Sequence, residues 1–364
     1  MNTPVNAPVS TSAKIGDRPN QSTAFAPLAE LTQCIAPDLI RVEACFEEEL
    51  LSDLPAVRAL VKHVSRFRGK MLRPVLVLLA GKACLAQSDH QEQVTEVQVT
   101  EVQATDALVT IATVVEMVHM ATLVHDDVLD DAELRRRGAT INHLKGNEAA
   151  VILGDFLISH SYHLCSSLGD TFAARTIAAT TNRVCEGELL QLSNRNNLEL
   201  DEATYFDIVS RKTAALTAAS SMLGAYLAGA DDKTRENLRT YGESLGIAFQ
   251  IQDDVLDLVG EVSTVGKTLG TDIEKVKLTL PLIHFLKTAP LQHRALLRSL
   301  LTGSEPDRGE KVRNLVMPSG SIEYAKNVAE RYVQQALDAI ASLVDSQAKR
   351  ALETAARLVT HRSV

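Results

Sequence analysis

The chain has 364 residues, with 46 acidic and 37 basic side chains and a formal net charge of -9. No basic tract is longer than three residues, Trp is absent and only 4% of residues are aromatic, which argues against nucleic acid as a partner. No run of 18 uncharged apolar residues occurs, so we expect no transmembrane segment.

The five cysteines form no C-x-x-C pair, which indicates free thiols and a reducing, cytoplasmic location. Residues 1–24 are rich in Ser, Thr, Asn and Pro and are predicted to be a disordered N-terminal tail. No later stretch resembles an interdomain linker, so residues 25–364 are predicted to form a single domain.

Hydrophobic periodicity predicts helix along nearly the whole chain, and strand signals are scarce. We therefore expect an all-α fold, a large helical bundle around a central cavity. The predicted helices span 27–50, 54–64, 71–86, 105–132, 147–167, 171–194, 202–229, 234–259, 276–287, 291–302, 321–343 and 346–360. Residues 88–104, where Val-Thr-Glu-Val-Gln occurs twice, are predicted to be a surface insertion, and 303–320 a loop.

Two acidic motifs share the core Asp-Asp-Val-Leu-Asp, one at 126–130 and one at 253–257. Each follows a long apolar run with helical periodicity. On a helix, the pairs Asp126/Asp130, Asp127/Asp131 and Asp253/Asp257 each project from one face. Like charges at that spacing destabilise a helix unless a cation lies between them, and carboxylates without His or Cys favour Mg²⁺.

Cations accompany these acidic motifs. Lys70 and Arg73 lie at a predicted helix start, which together with the free backbone N–H groups makes an anion site, although a solvated helix entry has the same pattern. Arg135 and Arg136 follow the first acidic motif, and an arginine fork suits diphosphate oxygens. Lys212, Thr213 and Lys267 are further candidates.

The ordered set of motifs GKxxRP, HDDVLDDAELRR, GDFL, EGELLQL, KTAAL, GIAFQIQDDVLD and GKTLGTD resembles the trans-isoprenyl (polyprenyl) diphosphate synthases of the medium- to long-chain branch. The resemblance covers the chain from about residue 25 onward. It implies an all-α homodimeric enzyme that condenses isopentenyl diphosphate head-to-tail onto an allylic diphosphate, farnesyl or geranylgeranyl, with Mg²⁺, three ions when diphosphate is bound.

The resemblance also implies residue roles. The catalytic and metal-binding set is Asp126, Asp127, Asp130, Lys212, Asp253, Asp254 and Asp257. The isopentenyl diphosphate pocket matches Lys70, Arg73, His119 and Arg136. Contacts to the allylic diphosphate match Arg135, Lys212, Thr213, Gln250 and Lys267. Three arginines stand where the family has two, and counting from both sides favours Arg135 and Arg136 over Arg137.

Product length is expected to depend on residues upstream of Asp126, because the growing tail would run along that helix. Ala121, Thr122, Val118 and Val115 occupy roughly one face there, and none is aromatic. At a rise of about 1.5 Å per residue, an isoprene unit covers about three residues. The sequence therefore predicts a product longer than geranylgeranyl diphosphate.

Three other functions are alternatives to a prenyl diphosphate synthase. A ferritin-like oxidase would need two Glu-x-x-His motifs, and only Glu116-x-x-His119 stands on the first acidic helix. A class I terpene cyclase would not need a second diphosphate pocket. A regulatory subunit of a hetero-oligomeric synthase could dispense with the core aspartates, all six of which are present here.

Overall fold

The computed structural model describes residues 32–67, 69–88, 101–136, 138–259, 273, 275–303, 305 and 307–361. The predicted tail at 1–24, the first part of the tandem repeat and Lys267 lie outside the described residues. What the structure describes is almost wholly helical, so the predicted all-α fold class is confirmed.

The first helices are α1 (Ala36–Glu49), α2 (Pro55–Val64), α3 (Leu72–Ser88), α4 (Glu101–Leu129), α5 (Ile141–Lys145), α6 (Asn147–Ser167) and α7 (Thr171–Ser193). They are followed by α8 (Glu202–Val209), α9 (Ala215–Leu227), α10 (Asp232–Val259), α11 (Leu280–Thr288), α12 (Leu291–Thr302), α13 (Arg308–Val316), α14 (Ser321–Ala339) and α15 (Gln347–Thr360). A two-residue hairpin, β1 (Leu134–Arg135) with β2 (Gly138–Ala139), follows α4.

The apolar helix α4 is the centre of the bundle. It packs against α6, α3, α1 and α9. Its segment Val102–Leu129 is long and apolar enough to cross a membrane, and it is the only such helix in the part of the chain described. Because 72% of its most apolar window is buried inside the protein, its hydrophobicity is explained by its position in the core.

A second long helix, α10, connects two apolar clusters. Its first half contributes Tyr241 and Leu245 to the cluster around α4, and its second half contributes Ile251 and Val255 to the cluster with α11 to α14. Helix α10 packs against α9 and α14. Its acidic carboxyl end is thereby held in a fixed position relative to α4.

Several predicted helix and loop limits were wrong. Helix α4 begins at Glu101, so 101–104 belong to its first turn instead of the surface insertion; Ala104 is buried there, which favours helix. The predicted loop 303–320 contains α13, whose Val312 and Val316 are buried. The predicted helix 202–229 is interrupted by a π-helical turn at Ser210–Ala214.

Candidate active site

The first acidic motif lies at the carboxyl end of α4. The backbone N–H of Asp130 still donates to the Asp126 carbonyl at 2.8 Å, so these two carboxylates keep the helical i,i+4 relation. Both side chains are half-buried. The predicted partnership of Asp127 with Asp131 was wrong, because Asp131 has a φ of 47° and is exposed, which takes it out of the helix.

The second aspartate of this motif is buried and has a partner. Asp127 is 3% exposed and accepts from Arg135 Nε at 2.8 Å and from Arg135 Nη2 at 2.7 Å. Burial raises the pKa of Asp127, and the Arg135 guanidinium opposes that rise. The pair fastens the β1–β2 hairpin to the end of α4, so in this arrangement Arg135 binds a carboxylate of the protein.

The second acidic motif also has one buried aspartate and two more accessible ones. Asp254 is 5% exposed and accepts from Tyr205 Oη at 2.6 Å and from Gln250 Nε2 at 2.8 Å. Asp253 and Asp257, one helical turn apart on α10, are half-buried instead. In both motifs, therefore, the middle aspartate is buried in the protein, while the first and last aspartates are more accessible.

Lys212 and Thr213 connect the two motifs. Lys212 Nζ lies 3.8 Å from Asp126 Oδ2, and Thr213 Oγ1 donates to Gln250 Oε1 at 2.9 Å. Since Gln250 in turn donates to Asp254, one turn of chain contacts both acidic helix ends. The two motifs therefore approach each other at this turn.

The π-helical turn explains how two neighbouring side chains reach different helices. An extra residue in the turn rotates Lys212 and Thr213 relative to the helix on either side, and such turns are frequent at functional sites. Helix α7 packs closely against it: a Cβ at Gly187 would lie 2.5 Å from the Lys212 backbone nitrogen. Glycine at that position permits the approach.

Glu188, one residue further along α7, forms an ion pair with Lys212 and accepts from Gln191 Nε2 at 3.1 Å. Burial alone would lower the pKa of Lys212, but Asp126 and Glu188 outweigh it and raise that pKa. Burial raises the pKa of Asp126; Lys212 opposes this effect, and Glu188 adds to it. Lys212 thus stays charged beside the carboxylate of the first motif.

Three cations surround Asp130. Its Oδ1 lies 3.1 Å from Lys275 Nζ, 3.4 Å from Lys277 Nζ and 3.6 Å from Arg195 Nη2. Burial alone would raise the pKa of Asp130, but Lys277 and Lys275 outweigh it and hold that pKa below its usual range. The carboxylate is therefore ionised and surrounded by an excess of positive charge.

A cleft of about 140 Å³ opens beside this cluster. Its polar lining includes Lys212, Thr213, Gln250, Arg195 and Lys277. Cations and amide or hydroxyl donors at one concave surface suit an anion with several oxygens.

The predicted isopentenyl diphosphate pocket is a separate cationic group. Arg73 at the start of α3 interacts electrostatically with Arg136 and with Glu116 of α4. Burial lowers the pKa of Arg73 to about 10, and its buried Nε has no hydrogen-bond partner among the residues described. Burial, followed by Arg73 and Arg136, holds the pKa of His119 well below its usual value, so this imidazole is neutral.

The loop around this pocket is tightly packed. Arg136, with a φ of 49°, donates to the Phe67 carbonyl, and its guanidinium contacts Gly69 so closely that a Cβ there would overlap it. Lys70 is exposed at the same loop. The structure thus brings the four residues predicted for this pocket to the junction of α3, α4 and the hairpin.

The carboxylates of the two acidic motifs suit Mg²⁺ that has only some of its ligands from the protein. Asp126, Asp130, Asp253 and Asp257 supply only hard oxygen ligands. Within the described ranges, no three His, Cys, Asp or Glu side chains converge as a closed ligand group. Mg²⁺ that is held by a few carboxylates takes its remaining ligands from water and substrate phosphates.

Another motif glycine shapes the entrance to the first acidic motif. His125 Nε2 lies 3.1 Å from the Val151 carbonyl of α6, and any Cβ at Gly154 would overlap the His125 ring. The glycine of GDFL therefore allows α6 to lie directly beside the residue that precedes Asp126.

The residues predicted to control product length lie on α4 below Asp126. Ala121, Val118 and Val115 are fully buried at 0% exposure, and the Thr122 hydroxyl donates to the His119 carbonyl at 2.8 Å. Their side chains therefore face the packed interior, and a lipid tail would have to displace neighbouring side chains.

Sequence reasoning missed several site residues. Tyr205, Glu188, Arg195, Lys275 and Lys277 had no assigned role. Glu188 lies in the quoted motif EGELLQL, which was a usable signal, and the two lysines follow the GKTLGTD motif closely. Nothing in the local sequence around Tyr205 or Arg195 indicates a site.

Residues 55–317 match the family model described as polyprenyl synthetase. The chain belongs to this family. An octaprenyl diphosphate synthase from Haemophilus influenzae is 33% identical over 335 residues, which cover 92% of this chain and 97% of that protein. The expected resemblance to medium- and long-chain polyprenyl diphosphate synthases is therefore confirmed.

Solved structures of the polyprenyl synthetase family have the same fold. A polyprenyl synthase from Caulobacter crescentus, complexed with calcium and isoprenyl diphosphate, superposes with a TM-score of 0.83 at 30% identity, covering 92% of this chain and 98% of that one. A decaprenyl diphosphate synthase from Rhodobacter capsulatus gives a TM-score of 0.82 at 32% identity, covering 92% and 99%.

Proposed function

We propose that this polyprenyl synthetase condenses isopentenyl diphosphate head-to-tail onto an allylic diphosphate, farnesyl or geranylgeranyl, and makes an all-trans medium- or long-chain polyprenyl diphosphate. One observation carries the proposal: both acidic helix ends of a polyprenyl synthetase meet at the Lys212–Thr213 turn, through Asp126 and through Gln250. The cleft there has the charge and the donors that a metal-bound diphosphate needs.

Four carboxylates, Asp126, Asp130, Asp253 and Asp257, would hold Mg²⁺, three ions when diphosphate is bound. When bound, Mg²⁺ neutralises the negative charge that grows on the departing diphosphate. Lys212, Thr213 and Gln250 would bind and orient the allylic diphosphate, with Lys267 as a further predicted contact. The buried Asp127 and Asp254 act through their partners, by fixing Arg135 and Gln250.

The second substrate would bind at the other cationic group. Arg73 has a buried donor atom without a partner in the described structure, and Arg136 and Lys70 lie at the same loop, which supports a diphosphate site there. Neutral His119 adds a hydrogen-bond donor without adding charge. The isopentenyl double bond then attacks the allylic carbocation, and the departing diphosphate accepts the proton that is lost.

We also propose an oligomeric state and a cellular location for the protein. We propose a homodimer, because α6 exposes Val151 and Ile152 at 41% and 67% on one face, where a second copy would cover them. A cytoplasmic location is supported by the five cysteines, all of which are free thiols. Light scattering coupled to size-exclusion chromatography tests the homodimer, and the mass of a monomer would contradict it.

The test of the activity is direct. Purified protein is incubated with Mg²⁺, isopentenyl diphosphate and farnesyl diphosphate, and the products are sized by mass spectrometry. We expect diphosphates longer than geranylgeranyl, and no product when EDTA removes the metal. Absence of any elongated product from either farnesyl or geranylgeranyl diphosphate would overturn the proposal.

A further inference from the structure

Arg195 occupies a fixed position beside the first acidic motif. It lies just after α7, in a turn stabilised by hydrogen bonds from Asn194 Nδ2 to the Leu190 carbonyl at 2.9 Å and from Asn197 Nδ2 to Asn194 Oδ1 at 2.9 Å. Its Nη2 donates to the Leu129 carbonyl at 3.1 Å. The guanidinium is therefore anchored at the carboxyl end of α4.

The guanidinium of Arg195 has an N–H group available for a further hydrogen bond. It is 33% exposed and lines the cleft with Lys212 and Gln250. Its Nε is buried and has no hydrogen-bond partner in the part of the chain that the structure describes. A buried N–H of a charged group without a partner is costly, so a bound acceptor would be favoured there.

Charge balance points to the same ligand class. Asp130 is one carboxylate, but it is shared by Arg195, Lys275 and Lys277. The single negative charge of Asp130 cannot neutralise all three of these positive charges. If Asp130 binds Mg²⁺, its negative charge is shared with the metal as well as with these cations, and a bound polyanion would offset the added positive charge.

We infer that Arg195 is a further binding residue for the diphosphate group at the metal side of the cleft. The inference rests on the proposed function and deepens it, because it adds a contact from the turn after α7, at a residue that none of the seven sequence motifs contains. An arginine fork can donate two parallel hydrogen bonds to phosphate oxygens, which a lysine cannot.

Arg195→Gln tests this by equilibrium binding. Inorganic diphosphate is titrated into the protein with Mg²⁺ in an isothermal calorimeter, which needs no turnover. Loss of a hydrogen bond to a charged group is expected to weaken diphosphate binding by about tenfold or more. The KM for isopentenyl diphosphate is expected to stay within about twofold, since that pocket lies at Arg73.

Arg183→Gln is the matched control. Arg183 is an exposed arginine on α7, the helix before the Arg195 turn, and its Nη2 donates to Ser210 Oγ at 3.3 Å outside the cleft. Diphosphate affinity of this variant should equal that of the wild type. Equal affinity in Arg195→Gln as well would overturn the inference.

Two further outcomes are covered by additional measurements. If Arg195→Gln does not fold, Arg195→Lys keeps the charge and loses the fork: weaker diphosphate binding then supports the inference, and unchanged binding overturns it. If the wild type itself binds no diphosphate with Mg²⁺, the proposed function fails, which is distinct from a wild type that binds and an Arg195 variant that binds equally well.

Discussion

The hydrogen bond from Tyr205 to Asp254 is expected to contribute measurably to the stability of the fold, because it stabilises a buried carboxylate of the second acidic motif. Tyr205→Phe removes the hydroxyl that donates to Asp254 Oδ2 at 2.6 Å and leaves that oxygen buried. A lost hydrogen bond to a charged group lowers the free energy of unfolding by about 1.5–3 kcal/mol. With an unfolding entropy of about 2.1 cal/mol/K per residue over 364 residues, the melting temperature should fall by about 2–4 °C.

The same substitution has a kinetic consequence. Asp254 holds Gln250, and Gln250 holds Thr213, so loosening Asp254 disturbs two predicted contacts to the allylic diphosphate. The KM for the allylic substrate should rise by several-fold, while the KM for isopentenyl diphosphate stays unchanged. Calorimetric melting and steady-state kinetics on the same preparation measure both effects.

A second tyrosine provides the control. Tyr324 Oη donates to Glu202 Oε2 at 2.9 Å, and Glu202, on the same helix as Tyr205, is partly exposed. Water can replace the hydroxyl there, so Tyr324→Phe should cost about 1 kcal/mol or less and leave both KM values unchanged. If Tyr205→Phe is no less stable than Tyr324→Phe, the reasoning about buried Asp254 is refuted.

Three further predictions concern the tail path, a strained residue and a neutral histidine. Ala121 precedes Asp126 by about 7.5 Å of helix, so a Phe ring there would obstruct the tail path near its start, and Ala121→Phe should shorten the product while leaving turnover largely intact. Mass spectrometry of the products checks this, and unchanged product length would contradict the tail path. Val276 has a φ of 50° and packs against the second apolar cluster, so both Val276→Ala and Val276→Gly lose that packing, but only glycine adopts this φ without strain. Val276→Gly should therefore be more stable than Val276→Ala by about 1 kcal/mol in urea unfolding, and the reverse order would argue against backbone strain there. Because the pKa of folded His119 is lowered, the unfolded chain binds a proton that the folded one does not, and stability should fall as pH drops below about 6.5; His119→Gln should flatten that part of the curve, and an unchanged slope would argue against a neutral His119.

The helical bundle and the accessible carboxylates could be predicted from the sequence because both depend on local periodicity. A 3.6-residue repeat places Asp126 with Asp130 and Asp253 with Asp257, and the structure keeps both pairs half-buried. Spacing cannot tell which way the middle aspartate points. Its burial depends on Arg135 in one motif and on Tyr205 in the other, and these partners come from different distances along the chain.

The remaining differences have similar causes. The π-helical turn at Ser210–Ala214 inserts one residue without any Gly or Pro to mark it, so the periodicity of 202–229 looked continuous. The three cations around Asp130 come from the turn after α7 and from the segment before α11, which only the fold brings together. Long-range partners of this kind are set by packing, and the local sequence does not encode them.

The two acidic helix ends are proposed to share metal ions with one diphosphate. Anomalous diffraction from crystals grown with Mn²⁺ and an unreactive allylic thiodiphosphate tests it most directly, because Mn²⁺ takes the same oxygen ligands as Mg²⁺. We expect anomalous peaks beside Asp126 and Asp130 and beside Asp253 and Asp257, with the thiodiphosphate between them. Peaks at only one acidic motif, or a thiodiphosphate bound away from the cleft at Lys212, would contradict it.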